Sequence, residues 1–359
     1  MIEYQTPIIR LSGLKVSQLP SASATSEELT PFITALLKEA LPFIEFATPK
    51  GQTSSPWKSK GTKKFPESAA KVELTERVLT LPAAGAAGQA NSNGGGDDTQ
   101  ASTKAKPAET TTETWACRRS VHIDSATKGT ASWAEFARCI RDEHAETEDA
   151  FTPTVLAHRE AQSWAGAGDI RPIVVGGEEG GESNSSVRWG RFSLVLVEMK
   201  HKIPPPLKPR VFPVLQLLAT AMDLPAGTQD GAAAEARAKD EFVVVSVPVA
   251  DFTGSELAVL SKEAGVVVGA YAAVERVKKE ESGRGDVEWI MATASDAKGV
   301  LPMWVQTKAV PGQIAKDVAL FLGWIAGERE RAASGQGGKG VEKEEGVTAN
   351  ESQQVGNGA

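Results

Sequence analysis

The sequence predicts an α+β fold in which a largely antiparallel sheet is closed by one long C-terminal helix. Three observations carry that expectation. Strand-like segments follow one another through the second half of the chain with no helix between them, which indicates antiparallel neighbours rather than a doubly wound sheet. Two of them, GVVVGAYAAVERV (265–277) and VEWIMATASD (287–296), flank the polar stretch KKEESGRG as the arms of a hairpin do. The last apolar segment, starting near Pro311, carries Ile314, Val318, Phe321, Leu322 and Ile325 on one stripe, with Leu320 and Trp324 widening it. A stripe that broad needs a large apolar partner, and the sheet is the candidate.

Taken in order, residues 25–47 read as a helix capped by Ser26, with Glu27 and Glu28 at its positive end and Leu29, Phe32, Ile33, Leu36 and Leu37 on one face. Pro42 is expected to break or kink it. The basic stretch WKSKGTKKF (57–65) follows, and AKVELTERVLTL (70–81) alternates as a strand does. Residues 82–112 are mostly Ala, Gly, Ser, Asn, Thr and Asp, a composition with too little apolar surface to offset the entropy of ordering. A disordered insert is predicted there, and a disordered tail over 333–359. TETWACRRSVHI (113–123) reads as a strand and SWAEFARCIRDEHAETE (132–148) as a helix. Residues 155–164, 187–203 and 241–250 read as strands, and PPPLKPR as a stiff turn into VFPVLQLLATAM. The expected organisation is an N-terminal segment (1–81) packing on a main domain (113–332), because the apolar face of its helix would otherwise be exposed.

Bulk properties narrow the function classes. A hydrophobic fraction of 41% in 359 residues suffices for a sizeable core. A net charge of -7 argues against general nucleic-acid binding, which needs clustered Lys and Arg. Two cysteines, Cys117 and Cys139, make no disulfide framework and read as buried thiols in a reducing compartment. With no apolar run of signal-peptide or membrane-spanning length, a cytoplasmic protein is expected.

Chemistry-bearing motifs are sparse. There is no G-x-S-x-G, P-loop, H-E-x-x-H or Rossmann glycine signature, and no cofactor is expected. The four histidines, His122, His144, His158 and His201, lack metal-type spacing, so no metal site is expected. The P-x-x-P spacing in PPPLKPR joins two apolar strands, which favours a structural turn over a peptide ligand. Trp57 with Lys58, Lys60, Lys63 and Lys64 has the composition for a transient contact with an anionic membrane, although a solvated loop is the plainer reading.

VEWIMATASDAKGVLPMWVQ, VEMKHKIPPPLKPRVFPVL, GAYAAVERV, PGQIAKDVALFLGWI and WKSKGTKKF, taken in order, resemble a fungal family of unknown function within the START-like superfamily. The resemblance spans roughly residues 1–330 apart from the insert. More distantly, SDAKGVLPMW before a long helix is similar to the end of lipid-transfer START domains. The resemblance implies a helix-grip fold, with a curved antiparallel sheet wrapped around the C-terminal helix and a cavity between them. It implies an apolar ligand, such as a lipid, and transfers no catalytic residue. Candidate ligand contacts are His201, Arg210, Tyr271, Glu275, Arg276, Trp289, Met291, Trp304, Val318 and Phe321. The alternatives are an enzyme on a hydrophobic substrate, needing a pair such as His201 with Glu275, or a scaffold with a filled core.

Overall fold

The computed structural model describes residues 7–47, 55–82, 110–175, 187–223, 237–280, 283–300 and 302–334. Helix α1 (Ser26–Glu45) is followed by strands β1 (Lys58–Lys63), β2 (Val72–Pro82) and β3 (Thr110–His122). A helical stretch comes next, made of α2 (Trp133–Phe136), a π-turn (Ala137–Asp142) and α3 (His144–Phe151). Strands β4 (Val155–Ser163), β5 (Ile173–Val175), β6 (Val187–His201), β7 (Arg210–Asp223), β8 (Arg237–Pro248), β9 (Val267–Val268), β10 (Ala270–Lys279) and β11 (Val287–Asp296) lead into α4 (Met303–Ala333).

All the strands join one sheet in the order β1-β2-β3-β11-β10-β8-β7-β6-β4, with β5 beside β6 and β9 beside β7. Every pair is antiparallel except the two-residue β7–β9 contact. The topology is a meander from β4 to β11, to whose last strand the N-terminal hairpin pair β1–β3 is added through β3.

Alternation along each strand sends successive side chains to opposite faces, and a helix covers each face. Helix α1 lies over β10 and β11 on one side. Its Leu29, Phe32, Ile33, Leu36, Leu37, Ala40 and Ile44 join Val243, Val245, Val247, Ala272, Val274, Ile290 and Ala292 in a single apolar cluster. Helix α4 lies over β2, β3 and β11 on the other side. There Ala315, Val318, Phe321, Leu322 and Ile325 pack with Trp289, Val277, Phe242, Val72 and Leu74 from the sheet, and with Phe136 and Cys139.

Four sequence expectations are corrected. The α1 cap is Thr25 rather than Ser26: Thr25 Oγ1 accepts from Glu28 N at 3.4 Å and Glu28 Oε2 accepts from Thr25 N at 2.9 Å, a capping box. The helix continues past Pro42 to Glu45, because Ile44 and Ala47 beyond it are buried in the sheet contact and outweigh one lost hydrogen bond. Helix α4 begins at Met303, with Pro311 inside it, and runs through Ala333. The strands reach into the predicted insert, where Pro82 pairs with Thr110 and Leu81 with Thr111. The rest of that insert and the tail from residue 335 lie outside the described residues.

Candidate functional site

The two faces of the sheet differ. On the α1 face the apolar cluster runs unbroken from β6 to β3. On the α4 face it divides. One part lies under the C-terminal half of α4, and a second, smaller one holds Val155, Val197, Met199 and Val214, with Val195 and Tyr271 against it.

The register shows what lies between the two parts. One row of cross-strand neighbours reads Val195, Gln216, Ser246, Ala273, Thr293 and Ala116. The next reads Leu218, Val244, Glu275, Met291 and Arg118. The side chains of the first row are short or polar. Accessibility follows the same division. Ala272 and Val274, facing α1, are 0% exposed, whereas Ala273 and Glu275, facing α4, are 6% and 8% exposed in mid-sheet. Tyr271, Met291, Leu218 and Val195 on that face are half-buried. One row further along, Phe242, Val277 and Trp289 are sealed beneath Phe321.

A charged group sits at the boundary. Arg118 is buried on β3, and its Nη2 donates to Glu275 Oε1 at 3.0 Å and approaches Met291 Sδ at 3.7 Å. Trp289 Nε1 donates to the same Glu275 oxygen at 2.6 Å, and the guanidinium lies 4.0 Å from the Trp289 ring centroid. Arg118 Nε and Nη1 have no hydrogen-bond partner among the described residues.

Asp317 on α4 faces this group. Burial pushes its carboxyl up to about 7; Arg118 pulls it down, while Glu148 and Glu275 push it further up. Glu148, on α3, also acts on Tyr271 and His201. Burial raises the Tyr271 phenol and lowers the His201 imidazole, in each case by disfavouring the charged form. Ser246 and Gln216 act on the Tyr271 phenol in the opposite sense to burial. Nearby, His122 is held neutral, lowered to about 4 by burial and then by Arg118, and its Nε2 lies 2.8 Å from Ser120 Oγ. Among the described residues no cluster of His, Cys, Asp and Glu has a metal-binding arrangement.

Of the residues singled out from sequence, Tyr271, Glu275, Trp289 and Met291 share this face. Val318 and Phe321 lie in its sealed part. His201, at the end of β6, packs edge-on against Phe212 at 5.5 Å and forms no hydrogen bond or ion pair with Glu275. Arg210 lies elsewhere: its Nε donates to Ala297 O at 2.6 Å and its Nη2 to Lys298 O at 3.3 Å, while Nη1 bonds Lys208 O. It ties the turn before β7 to the turn before α4. Arg276 faces α1, bonding Glu45 and lying 3.2 Å from Glu288 Oε2, as alternation requires of Glu275's neighbour. Trp304 is 71% exposed at the start of α4. Trp57 is buried edge-to-face with Phe43 at 5.5 Å, and Lys60 pairs with Glu76 at 2.7 Å, so this stretch presents no exposed aromatic.

Sequence reasoning missed Arg118 and Asp317. Arg118 stands between Ala116 and Ser120 in an alternating strand, which places it opposite Trp115 and Cys117. Asp317 lies three residues after Ile314 and four before Phe321, on the apolar stripe itself.

A family profile matches residues 115–325, more than half of the chain, and its description is "Protein of unknown function (DUF3074)". No curated protein matches the chain. Among solved structures it is similar to human STARD10 (11% identity, TM-score 0.39, covering 88% of this chain and 84% of that one). It is also similar to human StAR-related lipid transfer protein 5 (11%, 0.41, 82% and 97%) and to the human StarD13 (DLC2) lipid transfer and protein localization domain (14%, 0.38, 80% and 96%). TM-scores of this size assign no function to the chain.

Proposed function

Since the chain belongs to the family described as a protein of unknown function (DUF3074), we propose its function from the site alone: it binds a lipid or other apolar small molecule between the sheet and α4. The observation that carries this reading is the divided core of the α4 face. Short and polar side chains occupy mid-sheet there, between two separate apolar clusters, while on the opposite face one apolar cluster runs from β6 to β3. Apolar walls with a few convergent polar groups are the usual composition of a ligand pocket. The polar end of the ligand sits at Arg118, whose Nε and Nη1 lack partners among the described residues and need an acceptor oxygen. A hydroxyl or carbonyl group meets that need and also suits a protonated Asp317. A carboxylate or phosphate head would face Glu275, Glu148 and Asp317.

The test is mass spectrometry of lipid extracted from the purified full chain, paired with Ala273→Leu. Lipid in the parent, its loss from the variant and an unchanged melting temperature are expected. A parent free of lipid, together with a variant destabilised by the roughly 1–3 kcal/mol of an overpacked core, would show that the space is filled.

A further inference from the structure

Two turns at one end of the sheet differ in character from the rest of the surface. The segment before and into the first turns of α4, 297–313, contains Lys298 and Lys308 and no acidic residue. The β6–β7 connection, 202–212, contains Lys202, Lys208 and Arg210 and again no acidic residue. In a chain with a net charge of -7, these stretches expose Lys202, Lys208 and Lys308, while Lys298 pairs with Asp296 at 2.6 Å and Arg210 is buried. They stand side by side, because the Arg210 guanidinium bonds the carbonyls of Lys208, Ala297 and Lys298. Gln306 Oε1 accepts from Ala297 N at 2.6 Å, and Asp296 Oδ1 accepts from Lys298 N at 2.8 Å, which fixes the second turn against α4.

The same place carries the two most exposed large apolar side chains among the described residues, with a third beside them. Val300 is 83% exposed, Trp304 71% and Met303 47%. Such side chains scattered singly need no explanation, but three within five residues of a braced turn form a patch. Pro204, Pro205 and Pro206 are exposed on the adjoining turn. An exposed Trp beside apolar residues, ringed by lysines, matches the interface of a bilayer. There the indole sits at headgroup depth and lysines meet anionic headgroups.

We propose that Val300, Met303 and Trp304, flanked by Lys202, Lys208 and Lys308, form a docking surface for an anionic lipid bilayer. The apolar side chains insert at headgroup depth, and the lysines set the preference for negative charge. The protein and a second copy of itself would carry like charge at this face, which disfavours pairing through it. The inference stands apart from the pocket, since none of these residues lies in the accessible middle of the α4 face.

The experiment is co-sedimentation of the full chain with vesicles of phosphatidylcholine alone or mixed with phosphatidylserine, alongside sedimentation velocity without lipid. Binding to the mixed vesicles and a monomer in solution are expected. Trp304→Ala combined with Val300→Ser should weaken binding roughly tenfold or more, the scale of withdrawing a large apolar side chain from the interface. Lys208→Ala with Lys308→Ala should weaken it by a similar factor, as each lysine near an anionic surface contributes about a tenfold or somewhat smaller effect. All four positions are exposed, and circular dichroism with a thermal melt checks that each variant folds. Quenching of tryptophan emission by brominated acyl chains should be present in the parent and reduced in Trp304→Phe. The proposal is overturned if the parent binds neither vesicle, if the apolar variant binds as the parent does, or if the parent forms a dimer that Trp304→Ala abolishes.

Discussion

Glu275 accepts hydrogen bonds from both Arg118 and Trp289, and Arg118 has no other carboxylate in contact among the described residues. Glu275→Ala therefore leaves a buried guanidinium without its counter-charge. A loss of about 3–5 kcal/mol in denaturant stability is expected, whereas replacing Arg118 and Glu275 together by Met and Leu should cost much less. Asp317 gives a pH signature. Its folded-state pKa of about 7 stands above the ordinary 3.8, so between those values the folded protein holds a proton that the unfolded chain has released. This group's contribution is greatest near the lower value and is lost as pH rises to about 7. His122, lowered to about 4, acts in the opposite sense over part of that range, so the comparison must be with Asp317→Asn. Relative to the parent, that variant should gain stability steadily from pH 4 to 7 and level off above, as read by thermal melts across the range. Strand alternation places Tyr271 with Glu275 and Trp289 with Met291, but which face they occupy is not legible in the sequence, because both faces of these strands are largely apolar. Arg118 is not legible, because an Arg-Arg pair reads as surface and only the cross-strand register places it opposite Met291. Asp317 is not legible either, because the apolar pattern runs through its neighbour Val318.

At the scale of elements, α4 does two things along its length. Its C-terminal half seals one end of the sheet, with Phe321 edge-on to Trp289 at 5.4 Å and Arg329 bonding Glu135 and the carbonyls of Thr127 and Thr130. Its N-terminal half meets no comparable apolar row among the described residues. Val318 belongs to the sealed half and is fully buried. Val318→Trp should accordingly cost about 1–3 kcal/mol by overpacking, seen as a lowered denaturation midpoint, while leaving the polar row intact. An unchanged midpoint would mean that the sealed half has room it does not show. The strands were legible because their alternation is long and regular. The helix limits were not, since Pro42 and Pro311 end helices only where no packing lies beyond them, and packing is tertiary. Placing Glu275 and Arg276 in one cavity was an error that alternation alone could have prevented.

At the scale of the molecule, β2 and β3 form a hairpin whose last pairs are Leu81 with Thr111 and Pro82 with Thr110. Replacing residues 84–108 by Asn-Gly, which favours a tight hairpin turn, should leave the melting temperature the same or slightly raised, because loop closure costs less as the connection shortens. A large drop would show that the replaced residues contribute to folding. The domain pattern of helix, sheet and closing helix was visible in the order of apolar segments, but the attachment of β3 to β11 was not, because no local signal links residues so far apart.

That seam also has a consequence in time. Arg118 and Met291 are 173 positions apart, yet they meet across β3 and β11. From β6 onwards each new strand finds its neighbour among those already made, but the N-terminal strands β1–β3 have no docking edge until the last strand exists. Pairings this distant in sequence are slow to form. On the ribosome, α1 and β1–β3 would wait through the synthesis of almost the whole sheet, with an unpaired edge and an uncovered apolar helix. The newborn chain is thus most exposed to aggregation just before β11 emerges, and chaperone contacts should concentrate on its first third.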